Sequence, residues 1–378
     1  MTGANASVSG PIALAAGGTG GHMFPAEALA QALKRRGREI LLVTDARGAR
    51  YADDFPADDR FMISAASPSI GGPVAKIFAA ASMAGGLVKA LRELRRRNPA
   101  AAVGFGGYPS LPSMKAASLL NVPYGVHEQN GVLGRANRLL VRGAAFTAHG
   151  FPALDKLPAG VANTVEVGNP VRDAVAALRD APFTEVAPDG DVNILIFGGS
   201  QGASVFSEAP PAAVARLPAA LRARLSVVHQ ARDAEADKVR AAYEAAGVAH
   251  EVAPFFRDLP QRMADAHLVI ARAGASTVTE LSAIGRASIL VPLAIAMDDH
   301  QTGNARVLSE ASAAILMPEK IFNADALGSA LETLLANPAR LGAMARAARG
   351  RVKPNAAEAL ADLVEGIANA HADPPAGA

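Results

Sequence analysis

The sequence of 378 residues contains no cysteine. Disulfide bonds, thiolate metal sites and a cysteine nucleophile are therefore excluded, and the composition suits a reducing compartment. A long hydrophobic run is also missing, because the longest mostly apolar stretch, residues 77–88, is too short to span a bilayer. The first ten residues have neither a positively charged start nor an apolar core, so no signal peptide is expected. We therefore expect a protein that is soluble or bound at a membrane surface.

An excess of charge of either sign is absent as well. The 37 basic and 35 acidic residues give a formal net charge of +2. A dedicated nucleic-acid-binding protein would carry a strong basic excess, so that class is disfavoured. Half of the residues are hydrophobic, and the chain is longer than one typical domain. These numbers indicate a folded protein of two domains.

The sequence opens twice in the same way. A short apolar strand at residues 12–16 leads into Gly-Gly-Thr-Gly-Gly-His at 17–22, and another at 193–197 leads into Gly-Gly-Ser-Gln-Gly at 198–202. A helix is predicted after each turn, the first at 25–36. Strand and helix patterns alternate elsewhere, which predicts an α/β fold with parallel sheets. We expect domains at 8–170 and 171–352, and a disordered tail at 372–378.

The glycine turns predict a phosphate-type ligand. Glycine after a parallel strand lets backbone N–H groups and a helix N-terminus approach an oxyanion, although a tight turn without a ligand has the same pattern. A third such loop occurs at residues 104–109, and three loops favour a nucleotide. No Gly-Lys dipeptide occurs, which disfavours a P-loop. Met23 occupies the third glycine position of the dinucleotide fingerprint, which disfavours a hydride-transfer enzyme. Sugar nucleotides remain as the large diphosphate class that needs neither motif.

Residues 272–280, Arg-Ala-Gly-Ala-Ser-Thr-Val-Thr-Glu, follow another predicted strand. If the helix begins at Thr277, Glu280 lies three residues later and completes a capping box, which requires no ligand. Alternatively, Glu280 accepts hydrogen bonds from ribose hydroxyls, as acidic residues do in nucleotide-binding folds. Both roles are open on the sequence.

Polar residues also cluster at 298–301, Asp-Asp-His-Gln. Adjacent loop residues rarely converge on one ion, and no second carboxylate cluster is placed to complete the site. We therefore predict no metal site and favour recognition of a polar sugar.

The segment 73–98 carries six basic residues and one acidic residue beside several apolar side chains. Such a segment suits an anionic membrane surface, but an ordinary amphipathic helix with a solvated basic face has the same composition. The candidate membrane-contacting residues are Lys76, Ile77, Phe78, Leu87 and Lys89.

Seven motifs occur in a fixed order: residues 17–22, 106–110, 127–130, 168–172, 198–202, 272–280 and 299–301. Together they resemble the MurG family, the UDP-N-acetylglucosamine (UDP-GlcNAc) transferases of peptidoglycan synthesis, from about residue 10 to about residue 365. The resemblance implies a GT-B architecture, with two Rossmann-like doubly wound domains facing a cleft and a C-terminal helix at 353–371 that returns to the first domain.

The activity implied by this resemblance is transfer of GlcNAc from UDP-GlcNAc to the 4-hydroxyl of the muramoyl sugar of lipid I, which makes lipid II at the cytoplasmic face of the cell membrane. No cofactor is implied. The expected partners are UDP-GlcNAc, lipid I and an anionic membrane surface, with cell-wall and division proteins as further candidates. The first domain would bind acceptor and membrane, and the second would bind UDP-GlcNAc. The alternatives are another GT-B enzyme, a UDP-GlcNAc 2-epimerase, a binding-only protein and a dehydrogenase.

The resemblance also implies site residues. The donor contacts are Thr19, Gly20, Gly21, Asn130, Arg172, Ser200, Phe256, Ala275, Ser276, Thr277, Val278, Thr279, Glu280 and Gln301, and the acceptor and diphosphate loops include Gly18, Gly106, Gly107 and Tyr108. An α-linked donor and a β-linked product require one inversion, and hence a general base for the acceptor hydroxyl. His22 is the first candidate base, although it could serve only as a hydrogen-bonding group, and Glu128 is the second.

Overall fold

The structure is a computed structural model that describes residues 10–64, 73–199, 204–293 and 299–372, without the side chains at 73–77 and 79. The chain divides into two compact units. The first contains the residues up to Arg172 together with those from Asn355 onward, and the second contains Asp173–Pro354.

The first unit contains a parallel sheet of seven strands in the order β3-β2-β1-β4-β5-β6-β7. The strands are β1 (Ile12–Ala15), β2 (Ile40–Thr44), β3 (Asp59–Met62), β4 (Ala101–Gly104), β5 (Tyr124–Glu128), β6 (Phe146–His149) and β7 (Thr164–Glu166). They are connected through the helices α1 (Gly20–Arg35), α2 (Pro73–Arg97), α3 (Gly107–Leu119) and α4 (Arg135–Arg138), and through short 3₁₀ turns at Gly48–Tyr51 and Val141–Gly143.

Both faces of this sheet are buried, which explains why its central strands are continuous apolar runs. Ile12 and Leu14 of β1 contribute to the core on the face that α1 covers. Ala13 and Ala15 contribute to the core on the opposite face, with residues of α2 and α3. The period-two alternation of strand side chains therefore supplies two hydrophobic cores from one strand.

The second unit contains a parallel sheet of six strands in the order β10-β9-β8-β11-β12-β13. Its strands are β8 (Val192–Phe197), β9 (Leu225–Gln230), β10 (Ala249–Ala253), β11 (Leu268–Ala271), β12 (Ala287–Leu290) and β13 (Ala314–Leu316). Its helices are α5 (Asp173–Ala176), α6 (Ser204–Arg216), α7 (Ala219–Arg222), α8 (Asp233–Ala246), α9 (Leu259–Asp265), α10 (Ala275–Ile284), α11 (His300–Ser309), α12 (Ala324–Ala336) and α13 (Ala339–Ala348), with a 3₁₀ turn at Glu319–Ile321. Two doubly wound, Rossmann-like parallel sheets confirm the predicted α/β fold class.

The last helix, α14 (Ala356–Ala372), packs against α1 in the first unit. Its Leu360 and Val364 are buried in the same core as β1. Arg36, the C-cap residue of α1, donates to the carboxylates of Glu358, Asp362 and Glu365. Burial lowers the pKa of its guanidinium, but these hydrogen bonds outweigh that effect and raise the pKa overall. Apolar burial and a network of ion pairs thus hold α14 on the first unit. The disordered tail was predicted at 372–378, but Ala372 is the last residue of α14, and residues 373–378 lie outside the described residues.

Two helix starts differ from the sequence predictions. Helix α1 begins at Gly20 rather than at residue 25, so three residues of the glycine loop, Gly20, Gly21 and His22, lie in its first turn. Pro25 removes only one intrahelical hydrogen bond there, which the helix tolerates. Helix α10 begins at Ala275 with Gly274 as its N-cap, so the predicted capping box at Thr277–Glu280 is wrong. Thr277 already lies inside the first turn and cannot be the N-cap.

Candidate functional site

The strand order of each sheet reverses at one point. In the first unit this switch point lies between β1 and β4, and in the second between β8 and β11. Open parallel sheets bind ligands at the carboxyl ends of the strands beside such a point. The loops that follow these four strands begin at residues 16, 105, 198 and 272, so the predicted glycine loops lie at the two switch points.

His22 lies in the first turn of α1, beside the loop that follows β4. Its Nδ1 is 3.1 Å from the carbonyl oxygen of Gly17. A carbonyl oxygen only accepts, so Nδ1 carries the proton and the neutral imidazole has its lone pair on Nε2. This is the tautomer that a general base acting through Nε2 requires.

Two glycines of the loop that follows β4 make room for the imidazole of His22. Gly106 and Gly107 have φ of +83° and +72°, which side chains rarely adopt. A Cβ at Gly106 would lie 3.3 Å from His22 Nε2, and one at Gly107 would lie 3.0 Å from the Gly17 carbonyl oxygen. The loop backbone therefore packs directly on the hydrogen bond between His22 and Gly17.

Asp45 and Arg47, which the sequence analysis did not single out, hold the first glycine loop from the side of β2. Asp45 Oδ1 accepts from the N–H groups of Gly18, at 3.0 Å, and Gly48, at 2.8 Å. Arg47 Nη2 donates to Asp45 Oδ2 at 3.0 Å, and its guanidinium carbon lies 5.8 Å from the centre of the Tyr108 ring. The available sequence signal was an Asp-x-Arg-Gly run directly after a strand that ends at the same edge of the sheet.

Glu128, the second candidate base, is 3% exposed at the end of β5. Its Oε1 accepts from the backbone N–H and the side-chain amide of Asn130, both at 3.1 Å. Its Oε2 accepts from the N–H of Gly134 and from Nδ2 of Asn137, both at 2.8 Å. Four donors on one buried carboxylate organise the loop from 128 to 137.

His127 precedes this carboxylate and is fully buried. Its Nε2 lies 3.0 Å from the carbonyl oxygen of Gly168, and Gln129 Nε2 donates to its Nδ1 at 3.1 Å. Burial lowers the pKa of His127 to about 4, against a smaller raising effect of the Gly168 carbonyl. Asn169 Nδ2 donates to the Gln129 carbonyl at 2.8 Å. The neutral imidazole thus connects two of the sequence motifs, 127–130 and 168–172.

Arg172 belongs to the first unit and lies on an aromatic ring. Its guanidinium carbon is 3.8 Å from the centre of the Phe24 ring, which in turn makes an edge contact with Tyr51. A guanidinium stacked on an aromatic face is held in orientation while its N–H donors point outward in its plane. Phe24 also covers Gly20, where a Cβ would lie 2.9 Å from the ring.

In the second unit, the first turn of α10 follows the switch-point strand β11. Val278 is fully buried and Thr279 is 1% exposed, with its hydroxyl donating to the Ala275 carbonyl at 2.8 Å. These two predicted donor contacts therefore present no side chain at the surface. Glu280 is 6% exposed. Ala275, Ser276 and Thr277 contribute the N–H groups of the first helical turn, which lack intrahelical acceptors by geometry.

The loop before α10 is held by Arg272, which is 7% exposed. Arg272 Nη1 donates to Glu319 Oε2 at 2.9 Å and to the carbonyl oxygens of Val291 and Pro292. It connects the ends of β11 and β12 to the 3₁₀ turn that begins at Glu319.

The remaining predicted donor contacts outside the first glycine loop are Gln301, Phe256 and Ser200. Gln301 Oε1 accepts from the Leu293 N–H at 3.0 Å. Asp299 lies at the N-cap position of α11, and its Oδ1 accepts from the Thr302 hydroxyl at 2.7 Å. Phe256 is 6% exposed, with the Arg262 guanidinium 4.3 Å from its ring centre. Ser200 lies outside the described residues. Within the described ranges, no group of three or more His, Asp or Glu side chains could hold a metal ion.

Helix α2 presents the predicted membrane-contacting surface. Phe78 is 71% exposed, Val88 is 67% exposed, and Lys89 is exposed beside it. Leu87 was predicted to belong to this surface, but it packs against the core that includes Ala90 and Leu94, because these positions lie on the inward face of the helix. The side chains of Lys76 and Ile77 lie outside the described residues. In the part of the chain that the structure describes, no helix has the length and hydrophobicity to cross a bilayer.

Comparison with known proteins bears on the fold and the family of the chain. A model of the glycosyltransferase family 28 N-terminal domain matches residues 12–148, and a model of the family 28 C-terminal domain matches residues 193–364. The crystal structure of Acinetobacter baumannii MurG has a TM-score of 0.74 and 31% identity, and the match covers 95% of this chain and 100% of that one. A UDP-GlcNAc 2-epimerase from Neisseria meningitidis, bound to UDP-GlcNAc, has a TM-score of 0.65 over 94% of this chain and 100% of that one, but at 13% identity it shows the fold alone.

Relatives from other bacteria are similar over almost their full length. A protein of Methylobacterium sp. (strain 4-46), called UDP-N-acetylglucosamine–N-acetylmuramyl-(pentapeptide) pyrophosphoryl-undecaprenol N-acetylglucosamine transferase, is 52% identical over 93% of this chain and 95% of its own. A protein of the same name from Caulobacter vibrioides (strain NA1000 / CB15N) is 50% identical over 93% of this chain and 97% of its own. The chain therefore belongs to glycosyltransferase family 28 and, within it, to the MurG family of N-acetylglucosamine transferases.

Proposed function

We propose that this protein is an inverting glycosyltransferase that moves GlcNAc from UDP-GlcNAc to the 4-hydroxyl of the muramoyl sugar of lipid I and so makes lipid II for peptidoglycan synthesis. The names of relatives at about 50% identity support the substrates. The observation that carries the mechanism is the hydrogen bond from His22 Nδ1 to the Gly17 carbonyl, because it leaves the lone pair of the neutral imidazole on Nε2.

In the proposed reaction, His22 Nε2 accepts the proton of the acceptor hydroxyl. The hydroxyl oxygen attacks the anomeric carbon of GlcNAc, the bond to the β-phosphate breaks, and UDP leaves with that electron pair. Charge on the departing diphosphate is stabilised by N–H groups at helix N-termini such as that of α10. Neither step forms a covalent bond to the enzyme, which accounts for a single inversion.

The donor contacts are proposed for residues of both units. Arg172 on its Phe24 platform provides a fixed cation for the diphosphate, and Glu280 is the ribose-binding carboxylate. Val278 and Thr279 act through their backbone, since their side chains are buried. Other proposed donor contacts are Thr19, Gly20, Gly21, Asn130, Ser200, Phe256, Ala275, Ser276, Thr277 and Gln301, while Gly18, Gly106, Gly107 and Tyr108 belong to the acceptor loops. Glu128 is assigned to positioning Asn130 rather than to proton transfer.

The test is transfer of labelled GlcNAc to a short-chain lipid I analogue in the presence of EDTA. We expect label in the lipid and release of UDP. Replacement of His22 by Gln should lower kcat by about 10²–10⁴-fold with a small change in KM for UDP-GlcNAc. The matched control is His371→Gln, which removes an exposed histidine from α14. A full kcat in His22→Gln would refute the base, and UDP-GlcNAc epimerisation without transfer would refute the reaction.

We further propose that the enzyme acts at the cytoplasmic face of the cell membrane, as a peripheral protein bound through α2. The exposed Phe78 and Val88 lie beside basic residues of the same helix, which suits an anionic bilayer. Proteins of cell-wall synthesis and division are further expected partners at that surface. Phe78→Ser should weaken binding to phosphatidylglycerol vesicles. Ile321→Ser, at an exposed position of the second unit, should leave it unchanged. Equal binding to neutral vesicles would contradict the proposal.

A further inference from the structure

One peptide group of the first glycine loop is held at both ends. The carbonyl of Gly17 and the N–H of Gly18 belong to the same planar unit. The carbonyl accepts from His22 Nδ1 at 3.1 Å, and the N–H donates to Asp45 Oδ1 at 3.0 Å. Asp45 and His22 are therefore connected through a single peptide, although 23 positions separate them in the sequence.

The carboxylate of Asp45 has a fixed orientation. It is 5% exposed, and its Oδ1 also accepts from the Gly48 N–H at 2.8 Å. Its other oxygen accepts from Nε and Nη2 of Arg47. The two oxygens therefore have separate tasks: one holds backbone N–H groups and the other holds the guanidinium.

Close packing forces the glycine loop against this carboxylate. A Cβ at Gly17 would lie 2.8 Å from Asp45 Oδ1, and a Cβ at Gly48 would lie 3.0 Å from the Gly17 Cα. The loop thus lies so close to Asp45 that only glycine, which has no Cβ, fits at these positions. Because the contact is backbone to carboxylate, it places the carbonyl of Gly17 with little freedom.

We propose that Asp45 is a positioning residue for His22, which acts through the Gly17–Gly18 peptide to hold the imidazole in the tautomer that has its lone pair on Nε2. A negative charge on the N–H side of a peptide polarises it and strengthens its carbonyl as an acceptor, since linked hydrogen bonds reinforce each other. The arrangement resembles the pairing of a carboxylate with the base histidine in hydrolases, with a peptide inserted between them. The expected effect on turnover rests on the proposed function, whereas the tautomer does not.

The direct test is the tautomer of His22, measured by ¹⁵N NMR on protein with ¹⁵N-labelled histidine at a pH where the imidazole is neutral. The chain has eight histidines, and His22→Gln identifies the signal that disappears. We expect the wild-type His22 to carry its proton on Nδ1, and Asp45→Ala to shift it toward Nε2. A wild-type proton on Nε2, or an unchanged Nδ1 proton in Asp45→Ala, would overturn the proposal. The wild-type measurement holds even if Asp45→Ala does not fold.

Kinetics on the same variants give a second readout. Asp45→Ala should lower kcat by about 10–100-fold, the effect usual for a residue that orients a functional histidine from behind, with KM for UDP-GlcNAc changed less than about threefold. Asp45→Asn keeps an oxygen for the Gly18 N–H, so a smaller loss is expected, and Asp54→Asn, at an exposed position, should match the wild type. A kcat loss in Asp45→Ala with an unchanged tautomer would overturn the proposal.

The outcomes separate this inference from the proposed function. If the wild type transfers no GlcNAc but the tautomer depends on Asp45, the function fails and the positioning role stands. If transfer occurs and depends on His22 but is insensitive to Asp45→Ala, the function stands and the positioning role fails.

Discussion

Glu128 offers a quantitative test of how the loop after β5 is held. In Glu128→Gln the shape of the side chain is kept, but only one of its two terminal atoms remains an acceptor. Each carboxylate oxygen accepts two hydrogen bonds in the structure, so two donors would face an amide NH₂. An unsatisfied donor at a site that is 3% exposed costs about 1–3 kcal/mol. We therefore expect the free energy of unfolding of the first unit to fall by about 2–6 kcal/mol.

The assay is urea unfolding followed by far-UV circular dichroism, since the chain has no tryptophan. For a unit of about 200 residues, this loss corresponds to a decrease in Tm of about 4–24 °C. Glu39→Gln is the control, because it removes the same charge from an exposed position of the same unit. A loss below about 1 kcal/mol in Glu128→Gln would refute the estimated cost of leaving two hydrogen-bond donors unsatisfied. A stable Glu128→Gln that loses kcat while its KM for UDP-GlcNAc is unchanged would instead favour Glu128 as the base over a role in positioning Asn130.

Three further predictions concern two buried histidines, a buried arginine and the aromatic ring beneath Arg172. Burial lowers the pKa of His127 and of His229 from 6.5 to about 4. The unfolded chain therefore binds protons that the native state excludes, so stability is complete above pH 6.5 and falls by about 3 kcal/mol per histidine as the pH decreases toward 4. Urea titrations at several pH values check this, and a glutamine at either position should flatten the dependence. Arg286 is 1% exposed and donates only to backbone carbonyls among its described contacts, so Arg286→Met should destabilise the second unit by about 3 kcal/mol in urea unfolding. Phe24→Leu removes the ring 3.8 Å from the Arg172 guanidinium carbon and should raise KM for UDP-GlcNAc about threefold to tenfold in steady-state assays, with kcat unchanged.

Local sequence patterns were sufficient to predict the strands and glycine turns, because interactions between neighbouring residues decide where these form. The apolar strands and glycine turns at 12–22 and 193–202 predicted two α/β units, and the strand order in each sheet then places these turns beside a switch point. Helix boundaries were less accurate. The capping-box pattern at Thr277 is a true local signal, but the helix already begins at Ala275.

Side-chain partners were not predictable in the same way. Leu87 and Phe78 are both apolar residues of one helix, and only packing against Ala90 and Leu94 distinguishes the inward residue from the exposed one. Glu128 was the second candidate base on the sequence, and the four hydrogen-bond donors around its carboxylate became visible only in the structure.

The sequence by itself determined the class of fold, the number of units and the positions of the glycine loops, because apolar periodicity and glycine conformations act over a few neighbouring residues. The tertiary structure decided which chemical groups meet. Gly18 and Asp45 are 27 positions apart, and His127 and Gly168 are 41 apart, yet each pair forms a hydrogen bond. Such contacts exist because parallel strands bring their carboxyl ends to one edge of a sheet, and no local pattern records which residues of distant loops come within 3 Å there.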